Sequence, residues 1–237
     1  MTRQHAAPDR GQLPLAVNLR DDAHFDNFLT RPGLESPLAA LRLQAKGAGE
    51  SFIYLCGPPG AGKSHLLQAC CQVPGASAQY LPLSQLRNFA PAEVLSGLDT
   101  LELVCLDDLH AVAGSDEWEV ALFNFYNAAQ KSGCRLLVAA LEPPRALDLA
   151  LEDLRSRLSS AVVFRLGEAT DEEKAAILTF RAERRGMALS PDTASYIVSR
   201  APRALHDLLA LLDTLDEASL VSKRPVSIPF VRETLRW

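Results

Sequence analysis

Between residues 57 and 64 the chain reads GPPGAGKS, a glycine-rich turn that ends in lysine and serine. Residues of these types in this order can hold a polyphosphate. Within Gly57, Pro58, Pro59, Gly60, Ala61 and Gly62 the glycines let the backbone curl, so that several N–H groups point at phosphate oxygens. Lys63 is placed to reach the β- and γ-phosphates, and the Ser64 hydroxyl to ligate magnesium. His65 follows directly and is grouped with the loop. A second pair, Asp107 and Asp108, closes the apolar run LELVCLDD. Alone, two adjacent acids are more often a solvated turn or a helix cap. One strand–helix unit downstream of a phosphate loop, Asp107 is expected to hold magnesium through water and Asp108 to orient an attacking water.

Such groups act only if regular elements bring them together. FIYLC, directly before the loop, is a short apolar run that predicts a buried strand, and residues 63–72 predict the helix opened by the loop. AQYLPL is a second, weaker strand, and LELVCLDD over residues 101–108 is a third. Trp118, Ala121, Leu122 and Phe125 recur at helical spacing, which predicts a helix over 116–131. RLLVAAL is a fourth strand, a helix is expected around 147–158, and AVVFRL is a fifth strand. Strands alternating with helices predict a parallel sheet covered on both faces. After Gly167 only helices are expected. Thr170 and Glu173 form a capping box for a helix ending at Gly186, Ser190-Pro191 starts a second, Pro202 precedes a third, and VSIPFVRETLRW closes the chain. The reading is an α/β fold, a five-stranded parallel sheet domain at 23–167 followed by a small all-helical lid at 168–237. A flexible segment, 1–22, precedes both.

The 237 residues are 48% hydrophobic and 22% charged, with a formal net charge of −5. That acidity argues against an autonomous duplex-binding protein, whose affinity comes largely from lysine and arginine. The first residues lack the apolar core of a signal peptide, and no run reaches membrane-spanning length. Cys56, Cys70, Cys71, Cys105 and Cys134 lie mostly inside apolar runs without paired metal spacing, as expected for reduced thiols in a cytoplasmic protein. One stretch fits no core element. Gln12-Leu13-Pro14-Leu15-Ala16-Val17 puts three large apolar residues in a polar leader, so they serve either a folded-back arm or a groove on a partner.

The phosphate loop, the strand ending in two acids and the helical lid resemble the AAA+ ATPases. More narrowly, the chain is similar to the nucleotide-binding portion of the bacterial initiator DnaA. His24-Phe25-Asp26-Asn27-Phe28 resembles that family's signature ahead of the first strand, so Phe25 and Asn27 are expected near the adenine edge. SHLLQA, LDDLHAVAG and the SRL at Arg157 also fit. The resemblance runs from Phe25 onward and leaves out the initiator's C-terminal helix-turn-helix DNA-binding domain, since the sequence stops at Trp237. It implies ADP or ATP with Mg2+ as cofactors. In the initiator's shorter regulatory homologues an N-terminal peptide binds the replication sliding clamp, the polymerase β subunit. Gln12, Leu13, Leu15 and Val17 resemble that peptide.

The resemblance also assigns two arginines. Arg157 is the expected arginine finger, pointing into a neighbour's nucleotide site, although Arg155 lies close enough to compete for the role. Arg203 is the expected second sensor, contacting the phosphates of the chain's own nucleotide. One position departs from the pattern. Where the fourth strand should end in a polar first sensor, the chain has Ala139, Ala140 and Leu141, followed by Glu142, whose charge would repel a phosphate. That departure argues against strong autonomous hydrolysis. The expected function is a regulatory protein that sits on the clamp, with DNA contacted through it, and stimulates hydrolysis of initiator-bound ATP. Self-association through the arginine-finger face is a further expectation. The alternatives are a DNA-stimulated ATPase acting as a helicase loader, and an assembly factor that binds the clamp alone.

Overall fold

Three short runs of branched and apolar residues form the buried middle strands of the sheet, where helices cover both faces, while the edge strand at Val162–Arg165 leaves Val163 and Arg165 exposed. The computed structural model describes residues 19–237; the expected clamp peptide at Gln12, Leu13, Leu15 and Val17 lies outside them. In chain order the elements are α1 (Glu35–Gln44), β1 (Phe52–Cys56), α2 (Lys63–Cys71), β2 (Ala78–Pro82), α3 (Leu83–Leu86), α4 (Pro91–Val94), β3 (Leu103–Asp107), α5 (Asp116–Ser132), β4 (Arg135–Ala140), α6 (Glu152–Leu158) and β5 (Val162–Arg165). The lid follows as α7 (Asp171–Glu183), α8 (Pro191–Arg200), α9 (Leu205–Ser222) and α10 (Ile228–Leu235). All strand pairs are parallel, in the order β2-β3-β4-β1-β5.

Alternate strand residues feed two cores. On one face Tyr54, Val104, Leu106, Leu136 and Val138 pack under Trp118, Leu122, Phe125, Leu154 and Leu158. On the other, Ile53, Leu55, Cys105, Leu137 and Ala139 meet Leu38, Leu41, Leu66 and Leu67 of α1 and α2. A third core, around Leu178, Ile197, Leu208, Leu212 and Phe230, is the lid's own. The Thr170–Glu173 capping box is present in both directions and starts α7 as the sequence predicts.

Three expectations are corrected. Helix α1 was not expected, although Leu34, Leu38, Leu41 and Ala45 follow helical spacing and are all buried. The helix expected around 147–158 starts only at Glu152, because residues 147–151 are held as a loop. Helix α7 ends at Glu183, and Gly186 lies in the turn beyond, with φ +75°.

Candidate nucleotide-binding site

Strand β4 lies between β1 and β3, so three carboxyl ends open side by side onto one edge of the sheet. Ligands of open α/β sheets collect at that edge. Here the phosphate loop leaves β1, Asp107 ends β3, and Leu141 follows β4. A cavity of about 640 Å³ opens over them, within the size range of ligand pockets. Its wall includes Pro59, Gly60, Ala61, Gly62, Lys63, Ser64, His65, Asp108 and Leu141. From the lid come Arg181, Leu205 and His206, and from the segment before α1 come Asn27 and Phe28. The three are brought together by folding alone, since they are far apart in sequence.

The loop needs its glycines here. Gly57 has φ +154°, and a Cβ there would lie 2.1 Å from the Leu166 carbonyl oxygen, so no side chain fits. Its N–H donates to the Leu141 carbonyl at 3.1 Å, which locks the start of the loop to the end of β4. Gly57 and Pro58 thus lie behind the cavity wall. A Cβ on Gly62 would lie 2.7 Å from Phe28 Cε2, so the aromatic ring seals the loop only because that position is bare. Helix α2 begins at Lys63 and aims its N-terminus at the loop, where unpaired N–H groups favour an anion.

Lys63 is buried, and its Nζ donates to the carbonyls of Gly57 at 2.7 Å and Pro58 at 2.9 Å. Burial lowers its pKa, while the charges of Asp107 and Asp108 work against that shift. Asp107 is 1% exposed. Burial raises its pKa, although the Ser64 and Tyr80 hydroxyls and the Asp108 N–H stabilise the carboxylate. Tyr80 Oη donates to Asp107 Oδ2 at 2.7 Å, and the Asp108 N–H to Oδ1 at 2.9 Å. Asp108 takes a left-handed conformation, φ 55°, and accepts from Ser84 Oγ at 2.7 Å. Tyr80 and Ser84 were missed in the sequence, because nothing in AQYLPLSQL marks them as partners of acids about 25 residues on. Among the described residues no cluster of three or more histidines, cysteines or acids forms a metal cage. The Ser64 hydroxyl beside a buried carboxylate does fit a magnesium ion that takes its remaining oxygens from phosphates and water.

The remaining expected residues divide. His65 Nε2 donates to the His24 carbonyl at 2.9 Å, and burial lowers the ring's pKa. Asn27 lines the cavity, but its amide is committed: Nδ2 donates to the Asp22 carbonyl and Oδ1 accepts from Arg184. Phe25 lies outside the cavity, with the Arg42 guanidinium 5.4 Å from its ring centroid, and Phe28 takes the place at the wall. Arg203 is exposed and does not line the cavity; Leu205, two residues on, is the part of that segment that approaches Gly60. At the expected first-sensor position Leu141 faces the cavity and offers no polar group.

Arg155 and Arg157 differ in their contacts. Arg155 donates to the Leu147 and Leu149 carbonyls and pairs with Glu152. Arg157 is exposed, outside the cavity wall and in no ion pair among the described residues. The loop that Arg155 holds is also gripped by Glu119. This buried carboxylate accepts the N–H groups of Gly114, Ala150 and Leu151. The one acid on the apolar face of α5 was the available sign of it.

A glycine-rich loop between β1 and α2, two acids at the end of β3, and a helical lid over a five-stranded parallel sheet define a P-loop protein of the AAA+ class. Residues 171–235 match the family model of the Hda lid domain. An uncharacterised protein of Haemophilus influenzae is 41% identical over 228 residues, which cover 94% of this chain and 98% of that one. Domain III of the replication initiation protein DnaA from Thermotoga maritima superposes with a TM-score of 0.77 at 20% identity, covering 92% of this chain and 98% of that chain. DnaA from Aquifex aeolicus bound to AMPPCP gives 0.71 at 17% identity, covering 84% and 66%. The chain belongs to the Hda family of DnaA-related AAA+ proteins.

Proposed function

We propose that this protein holds a nucleotide in its own cavity and presents Arg157 to ATP bound by the initiator DnaA, stimulating its hydrolysis. The observation that carries the reading is the contrast on α6. Arg155 is consumed by structure, whereas Arg157 leaves its charge exposed and outside the wall of the chain's own cavity. A guanidinium supplied in trans neutralises charge that grows on the transferring phosphoryl group, and accelerates hydrolysis by roughly three to five powers of ten.

In the chain's own site, Lys63 and the α2 N-terminus would hold the phosphates of ADP or ATP. The Ser64 hydroxyl and Asp107 would hold Mg2+, which neutralises phosphate charge when bound. The AMPPCP carried by a structural relative supports a nucleotide here. Leu141 at the sensor position supports holding over turnover. We place the protein in the cytoplasm; no helix among the described residues is long and apolar enough to cross a membrane. Residues 12–17 are proposed to dock on the sliding clamp, which would hold the protein beside DNA-bound initiator.

The test is conversion of DnaA-bound ATP to ADP with this protein, clamp and DNA supplied in turn. Full stimulation only with all three supports the reading. Equal rates without the protein refute it, and rapid ATP turnover by this chain with single-stranded DNA alone would favour the helicase-loader alternative.

A further inference from the structure

Arg157 is the sixth of seven residues in α6, so the short helix alone gives its long side chain no fixed direction. Three contacts do. The Arg157 guanidinium carbon lies 5.8 Å from the centroid of the Tyr126 ring. Tyr126 Oη and Ser160 Oγ are 3.2 Å apart, and Ser160 Oγ donates to the carbonyl of Arg157 itself at 2.6 Å. A serine hydroxyl has one proton, and it is spent on that carbonyl. The Tyr126 hydroxyl is therefore the donor to Ser160. One tyrosine thus touches Arg157 at both ends, the guanidinium directly and the backbone through Ser160.

We propose that Tyr126 is the positioning residue for Arg157, aiming its guanidinium at a phosphate on a partner; this rests on the trans-arginine reading above. An aromatic face suits that task better than an acid would. It attracts the cation without cancelling its charge, so the full charge remains for the phosphate. Arg155 shows the contrast, since it is paired with Glu152. The platform is also rigid. Tyr126 stands on α5, and its ring packs on Phe52 at 5.5 Å, with the planes tilted by 59°. Phe52 is the first residue of β1, the strand that leads into the phosphate loop. A pre-aimed arginine loses less freedom when it docks, and the benefit appears as rate.

The experiment follows single-turnover conversion of DnaA-bound ATP to ADP on clamp-loaded DNA, against rising concentrations of the full-length protein. Tyr126→Leu should lower the rate at saturation by about fivefold and change the half-saturating concentration less than twofold. Tyr126→Phe and Ser160→Ala keep the ring packed on Phe52, so they test the hydroxyl link even if Tyr126→Leu folds poorly. Each should lower the saturating rate about twofold, and their losses should not add. In an Arg157→Ala background, Tyr126→Leu should cost nothing further, whereas a merely structural tyrosine costs the same in both. If Arg157→Ala is itself as fast as the parent, the trans-arginine reading falls and this inference with it. If Arg157→Ala is inactive while all three other variants keep the parental rate, the positioning role alone is refuted.

Discussion

Lys63 and Asp107 are opposite charges that burial pushes toward neutrality, a costly arrangement for stability and a useful one for gripping phosphate and magnesium. Lys63→Ala should weaken nucleotide binding at least about tenfold, measured by calorimetry. For Asp107 the sign of the pH effect is unusual. Its pKa is higher folded than unfolded, so in the window between the two values the folded protein binds more protons. Stability therefore falls as pH rises from the ordinary carboxylate range through the raised value. Thermal melting against pH should show that fall, and Asp107→Asn should lack it. The two arginines of α6 separate by stability. Arg155→Ala releases two carbonyls and should cost about 1–2 kcal/mol, while Arg157→Ala should stay within about 0.5 kcal/mol of the parent. The sequence could name the pair but not divide it. Residues two apart on a helix face about 200° apart, and which one turns inward depends on the loop that Arg155 grips.

The lid is fastened to the segment before α1 by arginines that no sequence pattern announces. Arg181 of α7 donates to Asp22 and to the Asn27 carbonyl, Arg184 to the Asn27 side chain, and Arg31 to Glu173 and the Gly167 carbonyl. Burial alone would raise the pKa of Asp22, but the hydrogen bonds and charges of Arg181 and Arg20 outweigh it and hold the carboxyl below its ordinary value. The stability it contributes is complete above the ordinary value and is lost as pH falls through the lowered one. Asp22→Asn should lower the melting midpoint by about 2–8 °C at pH 7, for a loss of about 1–2 kcal/mol at a partly exposed pair. The two proteins should converge in strong acid. Glu119→Gln should cost more, about 2–3 kcal/mol, because it turns an amide donor toward three backbone donors. That same carboxylate explains why the loop was misread. Leu147, Leu151, Leu154 and Leu158 repeat at helical spacing, but Glu119 takes the N–H groups of residues 150 and 151, and Arg155 takes the carbonyls of 147 and 149. The strands were readable because each is a short apolar run ended by glycine, proline or acid. Long-range side-chain capture leaves no such local mark.

The cavity formed by loop, sheet edge and lid and the exposed Arg157 are separate features of one chain, as expected of a protein that holds one nucleotide and acts on another. The phosphate loop and acid pair were legible because local sequence makes them. The lid-side wall was not, because Leu205, His206 and Arg181 reach it only through the packing of α7 and α9. Replacing Gln12, Leu13 and Leu15 with alanine should abolish association with the sliding clamp and leave the melting midpoint nearly unchanged; a fall of several degrees would instead mean that those leucines serve the core. The decisive experiment compares Arg157→Ala and Arg157→Lys with the parent in converting DnaA-bound ATP to ADP on clamp-loaded DNA. Nucleotide affinity and thermal stability should match the parent in both. The rate should drop by at least about a hundredfold in the alanine variant, with little recovery in lysine, because a guanidinium's planar donors suit a phosphate better than a single ammonium. A parental rate from Arg157→Ala would contradict the account.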